Sequence, residues 1–521
     1  MSAENYPYSQ LPPSEKKPLF DLTKKDGIFA ILAVVVSIFT AVFGIFEGFH
    51  LGYAISSALM AVLLFVYAAR GGMTSFWSVF CGVLALALNA VFVCTSNGSV
   101  RFFGVIVSIL LTLVCLDGFV NGAAKTNRQT LGVFYTAICT VGNMAVAIKS
   151  IFSGDGDRKT AGKVLVGFIC AIPVIIIVIP LLISSDEAFR GMMQQLFGNR
   201  ATIIGKVIFG LVLSLFVISY GFSMRARRVQ KLRESKFSGI ESAYMISFLS
   251  AISVCYLLYL FSQLAYFFSA FRGFLPDGEI TYAQYARKGF FEMCVIAMIN
   301  FAIVFFALLL PKKKMGTVSN GVKGLATFVA VFTLIIIATA ISKMVLYIDT
   351  YGMTILRLTT SAFMVFLAVV FVSVILRIYI KRINVMKTAL ITAGSILLVL
   401  GLMNVNAVCA KYNYESYISG KLETIDVSSM CNLGDEGIVY LTKLADDPNP
   451  AVAEKAQNYL EQAYLFFYFD NVVKPEDFTA ENMKKNQKST GFGSFSLPKS
   501  KAYAELYQFI EDHPTFVKTR F

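Results

Sequence analysis

The 521-residue sequence is poor in charged residues, in histidine and in tryptophan. Charged residues make up 15% of it, against about 25% in soluble globular proteins, so the composition argues against a soluble chain. The two histidines and nine scattered cysteines form no CxxC or Cys/His spacing, which argues against a zinc site and against thiol catalysis. No Gly-rich phosphate loop occurs. We therefore expect no cofactor and no metal site.

Long apolar stretches account for most of the sequence. Hydrophobic residues make up 56% of it, and a helix needs about 20 mainly apolar residues to cross a membrane. The pattern predicts an all-α integral membrane protein in contact with a lipid bilayer, with about 11 transmembrane helices. The predicted spans are 27–47, 51–69, 76–94, 101–120, 163–184, 203–223, 244–270, 287–310, 324–348, 353–379 and 387–408.

The distribution of basic residues predicts the orientation. Residues 409–521 hold 12 Lys and Arg against 16 Asp and Glu, so the overall excess of +14 belongs to the membrane part. If the N-terminus is cytoplasmic, the strongest basic clusters, RARRVQKLR at 225–233 and Lys312 to Lys314, fall in cytoplasmic loops. These clusters are topology signals or, alternatively, sites for anionic lipid; nucleic-acid binding is not indicated.

Two weaker stretches affect the count of spans. LGVFYTAICTVGNMAVAI at 131–148 is long enough to cross, but a crossing there would place RARRVQKLR outside. We predict an interfacial or re-entrant helix on the cytoplasmic side. A second surface helix is predicted at 185–198.

The chain divides into three predicted regions. Residues 1–26 are polar and form a disordered cytoplasmic N-terminus. Residues 27–408 form the polytopic transmembrane domain. Residues 409–521 form a small helical extracytoplasmic domain, with a helical hairpin around the turn at 446–450 and a last helix at 502–513. A disulfide between Cys409 and Cys431 is left open.

Polar residues recur at one depth below the outer ends of several predicted helices. At 1.5 Å per residue, Glu292, Lys343 and Arg357 each lie roughly 6–8 Å inside their helices. Glu292 can therefore offset Lys343 or Arg357. The predicted intramembrane network comprises Glu292, Arg287, Lys343, Arg357, Asn300, Gln263 and Asn404. Such groups either fix helix packing or form an ion or solute site open to the outside.

Two motifs carry a resemblance to a known family. The stretch LPDGEITYAQYARKGFFE at 275–292 contains Tyr282, Tyr285, Gly289, Phe290 and Phe291. The stretch YGMTILRL at 351–358 begins with Tyr351 and Gly352. With FGSFSLPKSKAY at 492–503, they resemble bacterial multi-pass membrane proteins of the domain-of-unknown-function 4153/4173 group. The resemblance implies a bacterial plasma membrane protein with a small extracytoplasmic tail, and it implies no reaction. General enrichment favours Tyr282 and Tyr285 as interfacial anchors.

Three classes of function remain open. A transporter or permease fits the many spans and the polar layer, although no inverted repeat is visible. A non-catalytic sensor or envelope assembly scaffold would act through the C-terminal domain. An enzyme acting on lipid-linked substrates ranks last, because no convergent acid and base set is visible. A continuous polar cavity from Glu292 towards Asn300 would favour transport, whereas a dry polar layer with an exposed groove on the tail would favour partner binding.

Overall fold

The computed structural model describes residues 20, 23–69, 76–121, 127–151, 178, 181–182, 184–186, 199–226, 239–271, 290–312, 318–468 and 494–513. Regular structure in these ranges is helical, apart from an isolated bridge between Ile240 and Pro311. Eleven of the described helices are long and apolar enough to cross a membrane. The predicted all-α membrane fold is therefore confirmed.

The eleven long helices are numbered in chain order. They are α1 Lys24–Glu47, α2 Leu51–Ala68, α3 Phe76–Cys94, α4 Gly98–Asn121, α5 Gln129–Ser150, α6 Asn199–Arg225, α7 Ser242–Phe271, α8 Phe290–Leu309, α9 Asn320–Tyr351, α10 Ile355–Tyr379 and α11 Val385–Leu402. The predicted span at 163–184 lies almost wholly outside the described residues, and so does the surface helix predicted at 185–198.

Contacts between helix ends define two opposite faces of the bundle. At one, which we call the Arg225 face, Arg225 at the end of α6 pairs with Asp26 in the first turn of α1. Tyr67 near the end of α2 donates to the same carboxylate at 2.8 Å. At the other, the Glu47 face, Lys206 of α6 pairs with Glu47 at the end of α1 at 2.8 Å. The helices α1, α2 and α6 thus run between these faces.

The pair α3 and α4 and the helix α11 run in the same way. A three-residue connection at 95–97 joins α3 to α4 at the Glu47 face, where Arg101 donates to the Gly48 carbonyl at 3.4 Å. The end of α11 lies there too, since Thr95 donates to Asn404 at 3.5 Å. The start of α11 therefore lies at the Arg225 face.

The helix α5 has the length of a membrane span, yet both of its ends lie at the Arg225 face. Near its start, Thr130 accepts a hydrogen bond from Asn384, which caps α11, at 2.9 Å. Near its end, Ser150 accepts from the Phe20 backbone, just before α1, at 2.9 Å. Its middle packs on the last two turns of α6. These contacts favour the predicted non-spanning arrangement of 131–148.

The chain must change faces after α5. The helix α5 ends at Ser150 on the Arg225 face, and α6 begins at Asn199 on the Glu47 face. The predicted span at 163–184 would connect these two faces.

The helices α7 to α10 share a second apolar core. Met364 and Phe371 of α10 and Ala326 and Ala330 of α9 are fully buried there. Tyr256 of α7 stacks on Phe332 of α9 with ring centroids 4.0 Å apart. Small residues let α9 approach its neighbours closely, as membrane helices do when they associate by packing.

The described part of the C-terminal domain contains α12 Val405–Ile418, α13 Val427–Cys431, α14 Asp435–Leu444, α15 Pro450–Tyr468 and α16 Leu497–Asp512. The span predicted at 387–408 is too long, because Asn404 adopts a φ of 53° and caps a new helix, α12, after α11 ends at Leu402. Cys409 and Cys431 are free thiols.

The core of the C-terminal domain is continuous with that of the membrane helices. One apolar cluster contains Leu88 of α3 and Leu111 of α4 together with Met430, Leu441 and Leu506 of the C-terminal helices. Removing either part would expose the apolar surface of the other. The domain is therefore docked on the Glu47 face rather than tethered to it.

Candidate functional site

The YGMTILRL segment forms a tight turn between α9 and α10 under the C-terminal domain. Gly352 has φ 77° and ψ 177°, a conformation that is essentially restricted to glycine. The Asn413 side chain of α12 clamps the next residue: its Oδ1 accepts from the Met353 N–H and its Nδ2 donates to the Met353 carbonyl, both at 2.7 Å. A Cβ at Gly352 would lie 2.6 Å from Asn413 Oδ1. This close approach, together with the backbone conformation, explains why a glycine is required at position 352 of the motif.

Arg357 is held at the same turn. Its guanidinium lies over the Tyr347 ring, 4.0 Å from the centroid, and it donates to the Tyr351 carbonyl at 3.1 Å and to the Gly352 carbonyl. These carbonyls end α9, where a cation is favoured by the helix dipole. The sequence analysis offered Arg357 as a partner for Glu292, whereas in the structure it caps α9.

A groove of about 670 Å³ opens beside this turn, between the α9–α10 connection and the segment that joins α12 to α13. Its size lies within the range of about 300–1,000 Å³ typical of ligand sites. The lining combines cations, carboxylates, hydroxyls and apolar side chains. It comprises Thr350, Tyr351, Met353, Thr354, Arg357, Asn413, Lys421, Leu422, Glu423, Thr424, Ile425, Asp426 and Ser429.

The rim of the groove is fixed by a charged cluster. Lys421 pairs with Asp349 at 2.8 Å, and Tyr412 donates to the same carboxylate at 3.1 Å. Asp426 caps α13 through the Ser429 N–H at 3.1 Å. Asp349 lies on the side of the groove formed by the membrane helices, and Lys421 and Asp426 belong to the wall formed by the C-terminal domain. The polar atoms of these groups are oriented by their contacts, as a preorganised binding site requires.

A second polar cluster joins the C-terminal domain to α3 and α4. Glu436 in the first turn of α14 is only 4% exposed and accepts from the Ser96 N–H at 3.1 Å and from the Ser96 hydroxyl. Asn406 accepts from Asn97 at 2.9 Å and donates to the Leu433 carbonyl at 2.9 Å. A buried carboxylate is tolerated when it accepts such bonds and sits at a helix N-terminus.

Two ionisable groups beside this cluster have displaced pKa values. Burial, followed by repulsion from Glu436, raises the pKa of Asp435 to about 6, although Lys499 and Arg101 oppose the rise. Burial, followed by repulsion from Arg101 and Lys499, lowers the pKa of His50 to about 4. The two groups belong to different parts of the protein, since His50 precedes α2 and Asp435 begins α14.

The predicted polar layer is only partly assembled. Glu292 lies exposed in the first turn of α8, and the half-buried Lys343 of α9 lies within electrostatic range of its carboxylate. Asn404 caps α12 beside Thr95 on the Glu47 face. Asn404 and Glu292 belong to different helix clusters.

Asn300 is a buried, hydrogen-bonded residue at the meeting point of three helices. It is fully buried, donates to Thr333 at 2.9 Å and accepts from the Tyr256 hydroxyl. The helices α7, α8 and α9 therefore meet at this amide. These contacts are those expected of a group that fixes helix packing.

Several predicted residues cannot be placed. Arg287, Tyr282, Tyr285 and Gly289 lie outside the described residues. Gln263, Phe290 and Phe291 are described as helical backbone without their side chains. Of the basic clusters at 225–233 and 312–314, only Arg225, Ala226 and Lys312 are described.

The sequence reasoning missed the residues that attach the C-terminal domain. Asn413, Ser96 and Glu436 stand in unremarkable contexts, and their partners are 60 or 340 residues away. A weak signal was present in the Gly434-Asp435-Glu436 step, where two acidic residues open a helix.

No group of three or more His, Cys, Asp and Glu that could hold a metal occurs among the described residues.

Comparison with known proteins places the chain in a family. No curated protein and no solved structure matches the chain. Residues 54–444 match the family described as Domain of unknown function (DUF4153). This match covers well over half of a multi-pass helical chain, and the protein therefore belongs to the DUF4153 family.

Proposed function

We propose that this protein is a membrane-anchored sensor or assembly scaffold that binds a polar partner segment in the groove beside the YGMTILRL turn. The observation that carries the proposal is the composition of the groove, since its walls come from both the membrane helices and the C-terminal domain. An occupant there would contact both parts at once. The lining carries the cations Arg357 and Lys421 and the carboxylates Glu423 and Asp426, which suit a segment that carries charges of both signs.

The proposal includes a topology in which the Arg225 face is cytoplasmic and the C-terminal domain is extracytoplasmic, in a bacterial plasma membrane. The basic cluster that begins at Arg225 supports this orientation. Any anionic lipid at the basic loops would then face the cytoplasm. The groove would face the envelope, where a partner protein or peptide is accessible.

Transport, which the sequence analysis also considered, receives less support. It would need a polar route from Glu292 past Asn300, and Asn300 is buried and hydrogen-bonded to Tyr256 and Thr333 of the neighbouring helices. The exposed Glu292 remains the residue to test. If Glu292→Gln abolished a proton- or cation-dependent flux in vesicles while leaving thermal stability unchanged, transport would replace the binding proposal.

Site-directed photo-crosslinking in intact cells tests the groove. A photoreactive phenylalanine analogue at Thr424, on the groove wall, should give a defined adduct. The same analogue at Glu454, exposed on α15 and outside the groove, is the matched control. Lys421→Gln should weaken the Thr424 adduct, whereas Lys455→Gln should not. Equal adducts at Thr424 and Glu454, or none at Thr424, would contradict the proposal.

A further inference from the structure

A cavity of about 600 Å³ opens among the ends of α2, α4 and α6 on the Arg225 face. Its lining includes the apolar side chains of Leu64, Leu116, Val120 and Met224 beside polar ones. Leu116, Val120 and Met224 belong to an apolar cluster against which Ala137 of α5, the helix that lies along this face, packs. The cavity therefore lies between helices at the Arg225 face.

One buried polar group in this cavity has no hydrogen-bond partner among the described residues. The Tyr220 side chain is 7% exposed and lines the cavity, and its hydroxyl bonds to none of the residues that the structure describes. Leaving a buried hydroxyl without a partner is unfavourable, so native proteins rarely do so without a ligand or water to complete the bond. The Tyr220 hydroxyl can donate to an ester carbonyl or to another acceptor that enters the cavity.

Two cations line the same cavity nearer the surface. Lys25 is exposed, and Arg225 is 44% exposed and pairs with Asp26 through one nitrogen. Tyr220 lies five residues before Arg225 in α6, about 7.5 Å further into the bundle. The Asp117 carboxylate lies within electrostatic range of Tyr220. This carboxylate disfavours an anion at the depth of Tyr220, so a phosphate is favoured only near Lys25 and Arg225.

We propose that this cavity binds an anionic glycerophospholipid from the surrounding leaflet. Its phosphate would lie against Lys25 and Arg225, an ester carbonyl would accept from Tyr220, and an acyl chain would cover the apolar wall. The two cations lie nearest the surface of the Arg225 face, and Tyr220, Leu64 and Leu116 lie about one helical turn further in. Basic pockets between transmembrane helices bind phospholipid headgroups in this way. The site is separate from the groove on the opposite face and does not depend on the function proposed for it.

Equilibrium binding of fluorescent phosphatidylglycerol to the full-length protein in neutral detergent tests the site. Lys25→Gln should raise the apparent Kd about fivefold, the effect expected for one lysine near an anionic headgroup. Lys24→Gln is the matched control, because Lys24 is equally exposed and does not line the cavity. It should leave the Kd unchanged.

Tyr220→Phe separates lipid binding from a structural role. Without lipid, this variant should unfold at the same temperature as the wild type or a higher one, since the hydroxyl has no partner among the described residues. With phosphatidylglycerol it should bind more weakly than the wild type. An unchanged Kd in Tyr220→Phe, or equal effects of Lys24→Gln and Lys25→Gln, would overturn the proposal. So would displacement of the probe by inorganic phosphate, or by oleate as effectively as by unlabelled phosphatidylglycerol.

Discussion

Gly352→Ala should be among the most destabilising single-methyl additions in the protein. The φ of 77° and ψ of 177° at Gly352 are strained by about 1–3 kcal/mol for a residue with a Cβ. The new Cβ would also lie 2.6 Å from Asn413 Oδ1 and displace the clamp. The clamp's two hydrogen bonds contribute roughly 1 kcal/mol each. We expect the free energy of unfolding to fall by about 3–5 kcal/mol.

A double-mutant cycle separates strain from the lost clamp. In the wild type, Asn413→Ala should cost about 2 kcal/mol for the two hydrogen bonds to Met353. In the Gly352→Ala background, the clamp is already displaced, so Asn413→Ala should cost little more. Reversible unfolding of the full-length protein in mixed micelles, followed by far-ultraviolet circular dichroism, measures each corner of the cycle.

The matched control is Gly420→Ala. Gly420 also has a positive φ, 73°, but a Cβ there would meet nothing within 4 Å. Its substitution should cost only the backbone strain, about 1–2 kcal/mol. If Asn413→Ala cost the same in both backgrounds, or if Gly352→Ala cost no more than Gly420→Ala, the close approach would not explain the motif glycine.

Three further predictions concern other parts of the molecule. The raised pKa of Asp435, near 6, makes the folded protein less stable as pH rises through 6. The lowered pKa of His50, near 4, makes the folded protein less stable as pH falls from 6.5 to 4. Thermal unfolding of the wild type should therefore vary little over pH 4–6.5 from these two groups, whereas Asp435→Asn should lose stability on acidification and His50→Gln should gain it; parallel profiles would refute this opposition. Asn300→Ala should lower the free energy of unfolding by about 1–3 kcal/mol, because the Tyr256 hydroxyl loses its acceptor and the Thr333 hydroxyl loses a donor; an unchanged denaturation midpoint would contradict its packing role. In a cysteine-free background, single cysteines at Gln129 and Lys149 should react with a membrane-impermeant thiol reagent from the same side; labelling from opposite sides would mean that α5 crosses.

Helix type and the positions of ten of the eleven predicted spans could be predicted from the sequence because they depend on local composition. An apolar run of about 20 residues must be helical in a bilayer, and its length decides whether it can cross. Length alone does not decide the matter for α5, which has the composition of a span. The basic clusters supplied the missing information, since a crossing there would have reversed their orientation. The contacts at Thr130 and Ser150 agree with that reasoning.

The polar layer shows where such reasoning stops. Position along a helix predicts the depth of a side chain, and counting therefore assigns Glu292, Lys343 and Arg357 to similar levels. The direction in which each side chain points depends on helix rotation and on the residues at the helix ends. Arg357 lies one turn from the C-terminal carbonyls of α9, and these carbonyls and Tyr347 hold it.

The groove could not be predicted because it depends on contacts between distant parts of the chain. Its motif wall was visible in the YGMTILRL stretch, but its other wall comes from the connection between α12 and α13. The break at Asn404 turns the chain from α11 into α12, and this turn brings Asn413 onto Met353. A single left-handed residue within an apolar run has no signature strong enough to be read in advance.

The C-terminal domain is attached to two separate sets of membrane helices. Glu436 binds Ser96 between α3 and α4, whereas Asn413 binds Met353 between α9 and α10. The groove lies beside the second attachment only. An occupant that binds more tightly to one position of the domain than to another would therefore shift one attachment relative to the other, by no more than its difference in affinity for the two positions. Under the proposed function, the two attachments would allow binding in the groove to change the contacts of the domain with both sets of membrane helices.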